Sequence, residues 1–424
     1  MTSEVSVIGL GKLGSSLAAV LSSVSHNVVG VDRSKVIVDQ INDGLAPFPE
    51  PYLQYLIDSS PFQATTNVGA IFDTDLTFVI VPSPSLKDGS FDPTYVVDAV
   101  TGIGEILKEK SGYHNVVVSS TLMPGTMENV VRPALEQASE REVGNNLGLC
   151  YSPEFIALGN VVQDLLNPDM VLIGASDPKA ASKLASLLVS VVGSDRPIYH
   201  MGLTEAEMAK IGVNAYITMK ISFANTIAEI CEQTDGADAS RVLRAIGADK
   251  RIGSKYLSAG TAYGGECFPR DNRAFAFTAR TAGTRALLAE ATDAINDRQI
   301  DRLQDIIQQH MTPDGSVAII GVTYKPGTPI FTEAVGFRLA QGLLADGIEV
   351  RVWDAAIQKH DRIDALTTAL PGVVWIDDPQ VVVQSAEVTV ITTPEDPEIK
   401  DYDQSFVIDC WGALPDASYT IGVG

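Results

Sequence analysis

The chain has 424 residues, of which 45% are hydrophobic and 20% are charged, and its formal net charge at pH 7 is −23. This composition is typical of a globular protein with a substantial buried core, and the length suffices for two or three domains. The negative charge argues against binding to nucleic acid or to an anionic membrane surface, because both require clustered Lys and Arg.

The four cysteines have no framework spacing, which is typical of free thiols in a reducing compartment. The N-terminal segment MTSEVSVIGLG enters a strand at once and lacks a basic region followed by a cleavage site. No apolar run is long enough to span a membrane. We therefore predict a cytoplasmic protein.

A dinucleotide-binding fingerprint opens the chain. A predicted strand at 4–9 is followed by a helix at 15–23 and by a second strand at 28–31 that ends at Asp32. The turn after the first strand has the spacing G-x-G-x-x-G, formed by Gly9, Gly11 and Gly14. Such glycines permit a tight turn and close approach of a pyrophosphate to the helix N-terminus, while the acidic residue accepts from ribose hydroxyls.

The acidic residue also bears on the choice of cofactor. Asp32 would repel a 2′-phosphate, which favours NAD over NADP, whereas Arg33 beside it could accommodate that phosphate. We predict an NAD site whose residues are Gly9, Gly11, Lys12, Leu13, Gly14, Asp32, Arg33, Pro82, Ser83 and Thr121.

The pattern of alternating strands and helices continues to residue 150. Strands are predicted at 76–81, 115–119 and 147–150, separated by helices at 94–108 and 127–138, which indicates a doubly wound parallel sheet. Ligands of such sheets bind beyond the carboxyl ends of the strands. Polar loops follow there, and we expect Thr121 and Glu154 to face one crevice.

A long helix is predicted from 204 to about 234. Glu207, Lys210 and Asn214 lie three or four residues apart in it and therefore on one face. Exposed Glu and Lys at this spacing usually form a surface pair that contributes little. Asn214 is less expected in mid-helix, since Asn favours caps and turns.

The segment GGECFPRD places Cys267 shortly after a glycine pair and four residues before Asp271. An isolated cysteine is usually a small buried hydrophobic residue, which is our interpretation of Cys150, Cys231 and Cys410. The neighbours of Cys267 do not have a core composition. We therefore predict that this thiol is a nucleophile for covalent catalysis on a carbonyl.

The opening pattern partly recurs after a predicted helix at 287–310. A strand at 316–320 is followed by Gly321, a helix at 333–346 and a strand that ends at Asp354, with further strands at 388–392 and 406–408. This indicates a second, smaller α/β domain without the full glycine fingerprint. The predicted fold class is α/β, with two Rossmann-like doubly wound sheet domains joined by a long helical connector.

Together these motifs resemble the UDP-glucose/GDP-mannose dehydrogenase family over nearly the whole chain. The resemblance implies that the C6 alcohol of a nucleotide sugar is oxidised to a carboxylate by two NAD, in a homodimer or higher homo-oligomer. It implies an NAD-binding domain at 1–198, a central helical and dimerisation domain with the catalytic cysteine at 199–311, and a nucleotide-sugar domain at 312–424.

The resemblance also implies a role for each matching residue. Cys267 would attack the C6 aldehyde to give a thiohemiacetal and then a thioester, with Asp271 and Thr121 positioning the hydrolytic water. Lys210 and Asn214 would stabilise negative charge on the C6 oxygen, and Glu154 would act in the same water and acid/base network. The residues implied to contact the nucleotide sugar are Glu154, Phe155, Lys210, Asn214, Arg251 from the neighbouring subunit, Tyr256, Tyr263, Gly264 and Lys325.

Three departures from the family pattern leave the substrate open. Leu158 stands where members acting on UDP-glucose commonly have a second Glu, while Thr332 and the triplet Cys410-Trp411-Gly412 stand where arginines are expected. UDP-glucose is the leading substrate, and a UDP-N-acetylhexosamine or GDP-mannose is the alternative. Two other classes remain: a two-electron dehydrogenase of small hydroxy acids, and a nucleotide-sugar binder without activity.

Overall fold

The computed structural model describes residues 2–156, 159–357, 360–393, 399, 402, 405–414 and 417–423. Leu158 therefore lies outside the described residues. The chain divides into two compact units, Met1–Ile211 and Gly212–Gly424, and helix α8, Leu203–Glu232, contributes to both.

The first unit is built around an eight-stranded sheet in the order β3-β2-β1-β4-β5-β6-β7-β8. Its strands are β1 Glu4–Ile8, β2 Asn27–Val31, β3 Gln63–Thr65, β4 Leu76–Val79, β5 His114–Val118, β6 Leu147–Tyr151, β7 Val171–Ala175 and β8 Ile198–Met201. Its helices are α1 Lys12–Ser23, α2 Lys35–Asn42, α3 Leu53–Ser59, α4 Thr94–Glu109, α5 Arg132–Ser139, α6 Val161–Leu166 and α7 Pro178–Val192. The central strands β4, β5 and β6 are buried along their whole length, as expected of strands covered on both faces.

The structure corrects two details of this unit. The strands predicted up to residue 150 are parallel as expected, but a further strand that was not predicted, β7, pairs with β6 in the antiparallel direction. The helix predicted at 127–138 begins as a π-helical turn, Met127–Val131, before α5. Pro133 offers a physical reason, because it has no N–H for the regular helical bond and forces the turn before it to widen.

The second unit contains a six-stranded parallel sheet in the order β11-β10-β9-β12-β13-β14, the dinucleotide-fold order of strands. The strands are β9 Ser316–Ile320, β10 Glu349–Trp353, β11 Val374–Trp375, β12 Val388–Ile391, β13 Phe406–Asp409 and β14 Tyr419–Thr420. The further helices are α9 Ala239–Gly247, α10 Phe268–Thr281, α11 Leu287–His310, α12 Val335–Ala345, α13 His360–Ala369 and α14 Pro379–Gln384. The predicted fold class is confirmed.

The two sheets share a close approach between strand and helix. A Cβ added to Gly14 in α1 would lie 1.8 Å from the carbonyl oxygen of Gly9, and one added to Gly336 in α12 would lie 2.0 Å from that of Gly321. Glycine is required at both helix positions because backbone occupies the space of a side chain. The second sheet thus keeps this contact but joins its two glycines by a longer loop. In the described part of the chain, no helix is long and apolar enough to cross a membrane.

Candidate active site

The loop from β1 to α1 has the geometry of a dinucleotide site. Gly9 has a φ of +90°, and a Cβ there would lie 2.1 Å from the carbonyl oxygen of Ile80. At Gly11, the N-cap of α1, a Cβ would meet no heavy atom within 4 Å, so the space above the helix N-terminus is open to a ligand. The first turn of α1, described in full, contains Lys12 and Leu13 and no acidic residue, which suits a pyrophosphate.

The carboxylate of Asp32 lies just after β2 and stabilises this loop by hydrogen bonds. Its Oδ2 accepts from the backbone N–H of Leu10 at 2.7 Å, and its Oδ1 accepts from that of Ser34 at 2.8 Å. The exposed Arg33 places its guanidinium 5.2 Å from the ring centre of Tyr95. After β4, Pro82 is exposed and Ser83 is buried. These residues fit a dinucleotide whose ribose hydroxyls meet Asp32.

Lys210 of α8 lies against the loop that follows β6. It is largely buried, donates from Nζ to the backbone oxygen of Glu154 at 2.7 Å, and lies 4.7 Å from the ring centre of Phe155. Burial raises the pKa of the Glu154 carboxyl to about 7, although the positive charge of Lys210 opposes the shift. The residue lines a small cavity together with Ser152 and Met170. A carboxyl with a pKa near neutrality is suited to accept or donate a proton at working pH.

Thr121 lies in the loop after β5, and the far end of this loop is also fastened to α8. Glu207 is completely buried, and its carboxylate accepts from the backbone N–H of Gly125 at 2.7 Å and of Met127 at 2.8 Å. Burial raises the pKa of Glu207 to about 7, against the effect of these hydrogen bonds. Glu207 and Lys210 are therefore not an exposed surface pair, contrary to the usual outcome at their spacing.

In the second unit, Cys267 is exposed and occupies the N-cap of α10. The glycine pair before it is required by close packing: a Cβ on Gly264 would lie 2.2 Å from the carbonyl oxygen of Glu333, and one on Gly265 would lie 2.6 Å from the ring of Tyr324. The partial positive charge of a helix N-terminus stabilises an anionic sulfur. The other three cysteines are buried, and burial raises the pKa of Cys150 to about 12.

Asp271 lies one turn into α10, completely buried, with two donors. Its Oδ2 accepts from Nδ2 of Asn214 at 2.6 Å, and its Oδ1 accepts from Nε of Arg270 at 2.9 Å. Asn214 is thus placed in mid-helix because its amide meets this carboxylate. Burial acts to lower the pKa of Arg270, but the negative charges of Asp271 and Cys267 outweigh it and raise the pKa. The thiol, the carboxylate and the guanidinium therefore interact.

The remaining predicted substrate residues of this unit have different surroundings. Arg251 is exposed and pairs with Asp249 at 2.6 Å. Tyr256 is also exposed, with a φ of +60°, and its ring meets Phe268 edge-on at 6.0 Å. Tyr263 is buried, and its hydroxyl donates to Asp293 at 2.7 Å, so this phenol supports the loop before Gly264. Lys325, after β9, is partly buried, with its Nζ 5.8 Å from the ring centre of Tyr324.

The described departures from the family pattern also have structural roles. The backbone oxygen of Thr332 accepts from the N–H of Gly265 at 3.1 Å. The indole Nε1 of Trp411 donates to the backbone oxygen of Thr392 at 2.9 Å, and the ring covers Gly260, where a Cβ would lie 2.6 Å from it. Cys410 is buried at the carboxyl end of β13.

Arg270, Glu207 and Tyr324 were not predicted as site residues. Arg270 lies within the predicted motif GGECFPRD, so its charge beside Asp271 was an available signal. Glu207 had a signal in its spacing from Lys210. Tyr324 had no signal in the sequence, because its ring and Gly265 are distant in the chain and are brought together only by folding.

A complete dinucleotide loop in the first sheet, and a second dinucleotide-type sheet whose unit holds an exposed thiol beside buried charges, define an NAD-dependent oxidoreductase. Comparison with known proteins identifies the family of this oxidoreductase. Three models of the UDP-glucose/GDP-mannose dehydrogenase family match in order: the NAD binding domain at residues 3–191, the central domain at 204–298 and the UDP binding domain at 318–416. The chain belongs to the UDP-glucose/GDP-mannose dehydrogenase family.

Relatives and solved structures agree with this placement. A UDP-glucose 6-dehydrogenase of Haloferax volcanii is 36% identical over 412 residues, which cover 96% of this chain and 93% of the relative. A GDP-mannose 6-dehydrogenase of Azotobacter vinelandii is 32% identical, covering 84% of this chain and 82% of the relative. The structure of a UDP-glucose dehydrogenase from Pyrobaculum islandicum matches with a TM-score of 0.90 at 30% identity, covering 100% of this chain and 98% of that one. The predicted NAD cofactor and dehydrogenase class are confirmed.

Proposed function

We propose that this enzyme oxidises the C6 hydroxyl of a nucleotide sugar to a carboxylate in two hydride transfers, with UDP-glucose as the leading substrate. The observation that carries the proposal is Cys267, an exposed thiol at a helix N-terminus, three residues before Arg270 in the sequence. A covalent bond to this sulfur would retain the aldehyde between the two oxidations. The Haloferax volcanii relative supports UDP-glucose, and the Azotobacter vinelandii relative makes GDP-mannose the next candidate.

The first oxidation needs a group that takes the hydroxyl proton and a group that stabilises the resulting oxyanion. The ammonium of Lys210, held by the backbone oxygen of Glu154, and the amide of Asn214 provide donors for that oxygen. The Glu154 carboxyl, with its pKa near 7, accepts the proton. NAD held by the loop at Gly9–Gly14 would supply the hydride acceptor.

The second oxidation proceeds on Cys267. Its thiolate adds to the C6 aldehyde to give a thiohemiacetal oxyanion, which would transfer its C6 hydride to a second NAD and leave a thioester. Water attacks the thioester carbonyl, the C–S bond breaks, and the sulfur leaves as thiolate. We assign the positioning of this water to Asp271 and Thr121. The hydrogen bonds from Asn214 and Arg270 fix the orientation of the Asp271 carboxylate.

We expect Glu154→Gln to change how stability depends on pH. The folded pKa of Glu154, about 7, lies above its usual value of 4.5, so its contribution to stability is complete below 4.5 and is lost as pH rises through 7. The variant cannot ionise. Its melting temperature, compared with that of the wild type, should therefore rise between pH 5 and pH 8. The pKa of Glu207 is also about 7, but Glu207 is present in both proteins, so its effect on the difference in melting temperature cancels. A difference independent of pH would contradict this expectation.

We further propose a homodimer, or a higher homo-oligomer that contains it, formed along α8. Tyr216, Phe223 and Ile230 are exposed and follow one another at intervals of seven residues, so they form an apolar stripe on one face. The loop of the exposed Arg251 is bonded to this helix, since Lys220 donates to the backbone oxygen of Gly253 at 3.1 Å, so a partner along the stripe would lie near Arg251. The domain limits predicted from the sequence, with the central part at 199–311, stay part of this proposal.

We expect Phe223→Glu to convert the oligomer into monomers at micromolar concentration, because the buried interface would then contain an unpaired charge. Light scattering coupled to size exclusion measures the mass directly. The matched control is Phe72→Glu, which changes a Phe of similar exposure in the first unit and should leave the mass unchanged. Unchanged mass in the Phe223 variant would place the interface elsewhere.

NADH absorbance with a panel of sugar nucleotides tests the activity. UDP-glucose, GDP-mannose and UDP-N-acetylhexosamines are compared by kcat/KM. NADH formation with one of these sugars supports the proposal and identifies the substrate. Tight binding of a sugar nucleotide without NADH formation would instead support a binding protein without activity.

A further inference from the structure

Two neighbouring loops of the first unit are fastened to α8 by residues one turn apart. Glu207 accepts from two backbone N–H groups of the loop after β5, and Lys210 donates to the backbone oxygen of Glu154 in the loop after β6. The first of these contacts has no role in the proposed chemistry. Glu207 is nevertheless completely buried and lies one turn from Lys210, so the reason for this contact must be sought elsewhere.

A fully buried carboxylate is costly unless strong donors surround it. Here the donors are N–H groups of Gly125 and Met127, at the start of the π-helical turn, where helical N–H groups have no acceptor within the helix. Glu207 thus satisfies donors that would otherwise be buried and unpaired. This contact determines where the loop ends and the helix begins.

The other end of the same loop is fixed independently. The hydroxyl of Ser120 accepts from the backbone N–H of Val81 at 2.9 Å and donates to its backbone oxygen at 2.7 Å. Thr121 therefore lies between two anchors: Ser120, which is bonded to Val81 just after β4, and Gly125, which is bonded to Glu207 of α8. Removing the second anchor would free the loop on the side away from the sheet while leaving the sheet intact.

We infer that Glu207 is a positioning residue that holds the Thr121 loop in register with Lys210. This inference rests on the proposed function, in which Thr121 helps to position the water that hydrolyses the thioester. At saturating NAD, which offsets weaker binding of the cofactor at Thr121, loss of the anchor should therefore slow the step that uses this water more than the hydride transfers. In the hydrolysis, the water oxygen bonds to the acyl carbon, the C–S bond breaks with the sulfur leaving as thiolate, and both protons of the water pass to solvent, which leaves a carboxylate.

Glu207→Gln tests the inference because glutamine keeps the shape but offers only one acceptor oxygen to the two N–H groups. Hydrogen exchange should become faster in the segment 119–127. In stopped-flow experiments the initial burst of NADH should keep its rate, whereas the later steady-state rate should fall by about tenfold to a hundredfold. Mass spectrometry of acid-quenched enzyme should show the sugar acid retained on Cys267.

Two variants serve as controls. Glu205→Gln changes an exposed acid in the same helix that bonds only to Gly202 among the contacts described, and it should resemble the wild type. Glu207→Asp keeps the charge but is too short to reach both N–H groups, so it should show the same selective slowing in a milder form. It also serves if the glutamine variant does not fold.

Unchanged exchange in the segment 119–127, or equal slowing of burst and steady state, would overturn the inference. If no sugar nucleotide is oxidised by the wild type, the proposed function fails, but the exchange measurement still decides whether Glu207 anchors the loop. The two failures are therefore distinguishable.

Discussion

Replacing Cys267 by serine is expected to reduce the formation of the sugar acid by at least about a thousandfold, the scale on which loss of a covalent nucleophile acts. A serine hydroxyl at this position is a far weaker nucleophile than a thiolate, so the aldehyde would not be retained for the second oxidation. The sulfur is exposed, whereas the thiols of Cys150, Cys231 and Cys410 are buried. The measurement is the sugar acid formed per minute from the best sugar nucleotide, determined by mass spectrometry.

The matched control for this prediction is Cys231→Ala, which removes a buried thiol outside the segment GGECFPRD. It should lose some stability and keep its turnover. Alkylation supplies a second test, because iodoacetamide should modify Cys267 selectively and abolish activity. Full oxidation to the acid by the serine variant would exclude a thioester mechanism.

Replacing Asp271 by asparagine is expected to lower both stability and turnover. The carboxylate is completely buried and pairs with Arg270, whose side chain is 23% exposed. Removing one partner of such a pair leaves the other uncompensated and costs about 3–5 kcal/mol of unfolding free energy. The asparagine would also lose an acceptor for Asn214 or Arg270, so we expect turnover to fall by about a hundredfold or more, as when a preorganised polar group is removed. Urea unfolding and steady-state kinetics measure the two effects.

The control for Asp271 is Asp39→Asn, which removes the acid from an exposed pair with Lys35. Such pairs contribute less than about 1 kcal/mol, so this variant should unfold like the wild type. An Asp271→Asn protein with wild-type stability and turnover would show that the buried pair has neither role.

The cofactor site could be predicted from the sequence because its determinants are local. The roles of Gly9, Gly11 and Gly14 follow from backbone geometry within one turn, and Asp32 ends the next strand. The second sheet could be predicted in the same way, because Gly321 follows its first strand and Asp354 ends the next.

The part of the site that could not be predicted depends on contacts between residues distant in the sequence. Helical spacing shows that Glu207 and Lys210 share a face but not that the face is buried. Their partners lie about fifty to eighty residues earlier in the chain. The contact of Asn214 with Asp271 likewise requires α8 and α10 to be packed together. The antiparallel direction of β7 had no signal in a pattern that otherwise predicts parallel strands.

The most direct test of the account is the ratio of NADH formed to nucleotide sugar consumed in a complete reaction with limiting sugar. Oxidation of an alcohol to a carboxylate through Cys267 predicts two NADH for each sugar, with the uronate as the product. One NADH for each sugar, with a free aldehyde released, would contradict it.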